Sequence, residues 1–532
     1  MKLSRRKLFE AALGVGQVAL LSRYGLLPSS ARAQSMSFKP TKLLAIWLDG
    51  GLHWESFFSP FTSAGITKFM PAPGGGLIPW GYSPSQVENF DRSPVDLDAP
   101  GTRRKWRGPV YWNWNSPGDT MGAVPNSGGA QQFRPYGYAW ANPAYKLYDR
   151  AALLIGADQG TASHYSGIVA SMCGVAGANF RAPSVQAVVA AAMAKRFPDR
   201  PIPNVSLGGP SPTALDLPSL AAPTRVTNDA SVEPTLSDKR DGAWLNLRTR
   251  TDRPELAFDG TPTGATAPLT ATDQYTLDQI RARKGKSTAG TDALLGSLYD
   301  TYKGASRTIA RDIMGTLANV RGFEKLSVAD MMYPANWTAC IGYADTCGGG
   351  SSLANYDFAL KLLKSELVSS VSLRATSIAN FSFDTHSSNG PQYHANHLRI
   401  ALEGIGRVLM EMSLTPSATN AGKTLLDETL VYIYSDFGRT FPKTGSDHHP
   451  ATCAILAGGS IIGNQMVGGY DESMNGSPMG VPVPLVEESG MQVTRTPKSQ
   501  DIVATVLHAF GLEGGTDYFI PGGYGYYDGV VG

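Results

Sequence analysis

The stretch SDFGRTFPKTGSDHHP, residues 435–450, gathers Asp436, Arg439, Asp447, His448 and His449 just beyond the apolar run ETLVYIY. Carboxylates and imidazoles are the side chains that bind a divalent transition metal or exchange a proton near neutral pH. The chain holds eight histidines, and all but His508 stand at or near the ends of apolar runs. Asp49 and His53 follow KLLAIWL. Asp158, Thr161, Ser163 and His164 follow AALLIGA. Asp384, Thr385 and His386 follow SIANFSF, with His394 and His397 close behind. Such groups converging from separate segments suit zinc or manganese. The alternative is a metal-free acid/base site, one His acting as base and an Asp orienting it. Several aspartates beside several histidines favour the metal, because uncompensated acidic clusters repel.

The elements that must position these groups are legible as short apolar runs ending in polar, Gly-rich turns. They span residues 42–48, 151–157, 377–383, 429–434 and 451–457. Each has strand length and alternates poorly, as expected of strands covered on both faces. Helical patterns lie between them at 184–197, 292–323, 355–370, 396–412 and 498–512. Strands alternating with helices predict an α/β fold, a mostly parallel sheet with helices on both sides. Ligands in such sheets bind beyond the carboxyl ends of the strands, where the listed polar residues fall. Two stretches break the rhythm and read as insertions in a single domain. Residues 54–142 carry six of the nine tryptophans, expected to form a small core of their own, and residues 210–290 are polar. His394 and His397, three apart at a helix start, read as a solvated helix end.

The 532 residues, 42 % hydrophobic and 17 % charged, suit a globular chain rather than a disordered one. Residues 1–33 have the paired Arg5 and Arg6, an apolar stretch from Ala11 to Leu21 and Ala31-Arg32-Ala33, the pattern of a cleavable twin-arginine export signal. The apolar stretch is far short of the ~20 residues a membrane span needs. Periplasmic or secreted location and a twin-arginine export partner follow as expectations. Removing residues 1–33 takes away six Lys/Arg and one Glu, turning 46 against 44 into 40 against 43. That near-neutral balance lacks the basic stripe of a nucleic-acid binder. In an oxidising compartment Cys340 and Cys347 could close a small loop.

The segments LLAIWLDGG, FDTH, SDFGRT and GSDHH, in that order, with AILAGGSIIGNQMVGG and DIVATVLHAFGL, resemble the exported sulfatase-like family of domain of unknown function 1501, in the alkaline phosphatase superfamily. The resemblance spans about residues 42–515 and implies an alkaline-phosphatase-like three-layer fold and hydrolysis of a phosphate or sulfate ester, small or polymer-borne. It implies that Asp384, His386 and His448 hold one metal, and that Asp49 and Asp436 hold a second beside the nucleophile, Thr161 or Ser163. Arg439, with its planar fork of donors, would hold a non-bridging ester oxygen. The superfamily usually has His directly after the second-metal aspartate, whereas Asp436 precedes Phe437, so one or two ions are expected. Cys173 is followed by Gly-Val-Ala-Gly and lacks the motif for formylglycine formation. The competing expectation is a catalytically degenerate relative that binds a metal or anion in a cell-envelope role.

Overall fold

The structure, a computed structural model, describes residues 39–70, 81–112, 132–133, 139–140, 142–176, 183–197, 199–200, 202–208, 224–227, 235–236, 316–317, 319–326, 350–375, 383–384, 386, 390–444, 446–474 and 478–532. The export signal, Cys340 and Cys347, nearly all of the 210–290 insertion and most of the 292–323 helical pattern lie outside these residues.

The strands of the main sheet are β1 Lys42–Leu48, β2 Arg103–Arg104, β3 Ala151–Asp158, β4 Asn204–Leu207, β5 Thr224–Thr227, β6 Thr235–Leu236, β7 Ser370–Ala375, β8 Thr429–Ser435, β9 Ala451–Gly458 and β10 Gln465–Gly468. Their order is β6-β5-β4-β7-β1-β8-β9-β3-β10-β2. Strands β4, β7, β1 and β8 run parallel, and β3 pairs parallel with β10. In the middle, β9 is antiparallel to both β8 and β3. The sheet is therefore mixed, mostly parallel, and α/β as the alternation of runs predicts.

Successive residues of β1 serve opposite faces, as strand geometry requires. Leu44, Ile46 and Leu48 enter one core with the helices α4 Gly350–Lys364 and α5 Gly390–Leu414. Leu43, Ala45 and Trp47 enter the other, against α2 His164–Cys173, α3 Val185–Arg196 and α6 Ser499–Ala509. A short helix, α1 Ser63–Phe69, lies in the first of these layers. Among the described residues no helix is long and apolar enough to cross a membrane.

Three expectations change. The predicted helix 355–370 stops at Lys364, and Ser370–Ala375 forms strand β7; of the predicted strand 377–383, all but Phe383 lies outside the described residues. The apolar-run criterion passed over β7 because Ser370 and Ser372 fill fully buried strand positions. Trp54, Trp106 and Trp140 do not form a separate core. They are fully buried in the main core, Trp106 stacked on Trp140 at 5.7 Å and edge-on to Phe57 at 6.3 Å. Each such pair contributes about 0.5–1.5 kcal/mol beyond the area it buries. His394 is no solvated helix end: it is fully buried, and its Nε2 accepts the His53 backbone N–H at 2.9 Å. The side chain of His397 lies outside the described part.

Candidate metal centre

The strand register brings the candidate residues to one edge. Leu48 lies beside Ser435 and Ala375, and Ala451 beside Asp158. The carboxyl ends of β1, β7, β8 and β3 thus share an edge with the amino end of β9. Because β8 and β9 form a hairpin, residues 436–450 are held at this edge from both ends. Within that loop Gly438–Arg439 pairs antiparallel with His448–His449, which folds SDFGRTFPKTGSDHHP back on itself and sets Arg439 opposite His448.

Asp436 is fully buried, and its carboxylate accepts three hydrogen bonds. The Trp47 indole N–H donates to Oδ1 at 2.5 Å; the Gly50 amide at 3.1 Å and His164 Nδ1 at 2.7 Å meet Oδ2. His164 arrives there because α2 packs tightly on the end of β8. Ser171 donates to the Ser435 carbonyl at 2.7 Å, and a Cβ on Gly167 would lie 2.2 Å from the Asp436 carbonyl oxygen. The bond to Asp436 raises the His164 imidazole above its ordinary pKa against the opposing effect of partial burial.

Asp384 is the hub. His386 Nε2 lies 2.8 Å and His448 Nε2 3.2 Å from its Oδ1, and His164 Nε2 is 3.3 Å from its Oδ2. Arg439 Nη2 donates to Oδ1 at 2.7 Å. Partial burial alone would raise the Asp384 carboxyl, but the hydrogen-bonded Arg439 guanidinium outweighs it and brings the pKa to about 2.

The tautomers of two of these imidazoles follow from their outer partners. His448 Nδ1 faces the Ala162 carbonyl at 3.0 Å, which can only accept, so Nδ1 carries the proton. His164 Nδ1 faces Asp436, whose oxygens accept from Trp47 and Gly50, and carries its proton for the same reason. In the neutral rings each Nε2 is then a lone pair aimed at a carboxylate, an arrangement that is repulsive unless a proton or cation lies between. The ligand atoms of His164, Asp384 and His448 all lie within 4.8 Å of one another. Two imidazole nitrogens and a carboxylate, with the histidines anchored from behind by a carboxylate and a carbonyl, form a donor set that fits a divalent transition metal.

The other predicted residues fall around this centre. Asp49 is ion-paired with Arg374; partial burial raises its pKa most, Arg374 opposes the rise, and Asp436 adds to it. Arg439 is buried with its fork spent on structure. Nε donates to the Gly51 carbonyl at 3.1 Å, Nη1 to Ser446 at 2.8 Å, and Nη2 to Gly50 at 2.5 Å as well as to Asp384. The Thr161 hydroxyl accepts the Ser163 amide at 3.2 Å, and Ser163 is the exposed N-cap residue of α2. Phe437 is fully buried against the rings of His448 at 4.3 Å and His164 at 4.8 Å. His53 is fully buried with Nε2 2.9 Å from the Ser446 hydroxyl, and His449 Nδ1 accepts the Ala451 amide at 3.2 Å. His164 was named at its strand end but not placed among the metal ligands. The signal available was a histidine at the first position of a helix that follows a buried strand.

Fold and centre define an α/β protein with a carboxylate–imidazole cluster on the strand-end edge of its sheet. The chain belongs to the family described as protein of unknown function (DUF1501), whose model matches residues 84–523. No curated protein matches the chain.

Proposed function

We propose that the chain is an exported, metal-dependent hydrolase of a phosphate or sulfate ester, of alkaline-phosphatase-like fold. The observation that carries this reading is the convergence of the His164 and His448 Nε2 lone pairs on the Asp384 carboxylate. Asp384, His164 and His448 would hold the ion, a zinc or manganese, and His386 would add a nitrogen from the solvent side. Such an ion supplies Lewis acidity to the ester and to the attacking hydroxyl. Asp436 holds His164 in the tautomer that leaves Nε2 free, and the Ala162 carbonyl does the same for His448. Asp436 has three donors on its carboxylate and Asp49 is paired with Arg374, which favours one ion over two. The attacking hydroxyl would be that of Thr161 or Ser163, at the start of the helix that carries His164. Twin-arginine export would carry the protein folded with its metal, and residues 1–33 would be removed.

A second reading, a catalytically degenerate protein that binds metal or anion in the cell envelope, is favoured by one feature. Among the described residues, neither the Thr161 nor the Ser163 hydroxyl is hydrogen-bonded to an imidazole of the cluster. Elemental analysis of the purified protein, with turnover assays on aryl phosphate, phosphodiester and aryl sulfate esters, separates the two. Bound metal with turnover of at least one ester is expected; bound metal with no turnover would favour the binding role.

A further inference from the structure

A site for a tetrahedral oxyanion needs a cation with donors to spare, and Arg439 has few. Its guanidinium serves the carbonyls of Gly50, Gly51 and Ser446 and the Asp384 carboxylate, so its work is to tie residues 50–51 to the 436–450 loop. Arg374 is placed differently. It sits near the carboxyl end of β7, opposite Trp47 in the β1 register. Its guanidinium carbon lies 5.3 Å from the centre of the Trp47 ring, the same indole whose N–H holds Asp436. Among the described residues its hydrogen-bond partner is Asp49, met through one terminal nitrogen, and its side chain is 43 % exposed. A guanidinium has five N–H donors in a planar fork, so one such contact on a 43 % exposed side chain leaves donors to spare at the strand-end edge. Asp49 in turn stands next to the cluster: its backbone carbonyl accepts the Phe383 N–H at 2.7 Å, one residue before Asp384.

We infer that Arg374, and not Arg439, receives the non-bridging oxygens of the phosphoryl or sulfuryl group that this centre takes. The inference rests on the proposed reading of the centre as an ester-binding metal site and names its anion-recognition residue. Its place over the Trp47 ring limits the freedom of the guanidinium, and Asp49 keeps it at the strand edge until an anion competes for it.

The test is isothermal titration of the metal-loaded, full-length mature protein with inorganic phosphate and with sulfate, alongside KM and kcat for an aryl phosphate. Arg374→Ala is expected to weaken phosphate or sulfate binding and to raise KM by roughly tenfold or more, the scale of one charge-assisted hydrogen-bonded contact. Metal content and kcat should change far less. Arg374→Lys, which keeps the charge but not the fork, should recover only part of the loss. Anion affinity and KM within about twofold of wild type in Arg374→Ala, with unchanged melting temperature, would overturn the inference, as would a metal-loaded wild type that binds neither anion. A wild type that binds the anion through Arg374 but hydrolyses no ester would instead sink the hydrolase reading and leave this assignment standing.

Discussion

Phe437 stands where two imidazoles could otherwise swing. The outer nitrogen of His164 is tied to Asp436 and that of His448 to the Ala162 carbonyl, so each ring keeps mainly a rotation about its anchored side. The Phe437 ring, against both at 4.8 Å and 4.3 Å, blocks that rotation. Phe437→Ala should therefore weaken zinc binding by roughly tenfold, the usual scale for loss of a group that orients a ligand, while Phe437→Leu should lose less. Competition with a chelating dye measures both, and equal affinities in all three proteins would remove this role. At this scale the sequence was partly legible. Asp384, His386, His448 and Arg439 stand together as their place beyond strand ends suggested. The pairing of His164 with Asp436 was hidden because it joins residues 272 apart, and the burial of the Arg439 fork because, Asp384 apart, its acceptors are the carbonyls of Gly50, Gly51 and Ser446, which leave no mark in side-chain types.

At the scale of elements, the site depends on how closely α2 and the β8–β9 hairpin approach. Gly167 is the contact point: any Cβ there would meet the Asp436 backbone at 2.2 Å. Gly51 plays the same part in the turn after β1, at φ +79°, where a Cβ would lie 2.2 Å from the Phe437 ring. Gly167→Ala should cost about 1–3 kcal/mol, as inserted groups do in well-packed sites, and should weaken metal binding by shifting His164. Denaturant melts with and without zinc check it; an unchanged midpoint and unchanged zinc protection would contradict the tight-contact argument. Strands β1, β3, β8 and β9 were legible because their buried faces are nearly all apolar. Strand β7 was not, since its buried serines weaken the pattern that a two-faced strand normally shows, and the helix before it was read too long as a result.

For the whole molecule, the sheet divides the interior into two cores, and the first holds the more unusual chemistry. Glu55 is buried there without a hydrogen-bond partner for Oε2, 3.9 Å from His53 Nδ1. Burial raises its pKa from 4.5 to about 8. The unfolded chain therefore ionises Glu55 near pH 4.5 while the folded one keeps the proton until about pH 8. Over that window the unfolded state binds fewer protons, so this group makes stability fall as pH rises. Glu55→Gln removes the effect. Its melting temperature relative to wild type should climb steadily from pH 5 to 8, and a constant difference across that range would show that Glu55 is ionised in the fold. Composition and periodicity made the α/β class legible at this scale. The antiparallel β9 in mid-sheet was not, because strand direction is set by how the 436–450 loop closes and not by the strand residues.

We propose that the Asp384, His164 and His448 side chains enclose one divalent ion. The most direct measurement is metal stoichiometry by plasma mass spectrometry on the wild type and on Asp384→Asn and His448→Ala, each checked for folding by circular dichroism. About one zinc or manganese per wild-type chain is expected, falling well below half in both folded variants. A metal-free wild type, or folded variants that retain its full complement, would contradict the account.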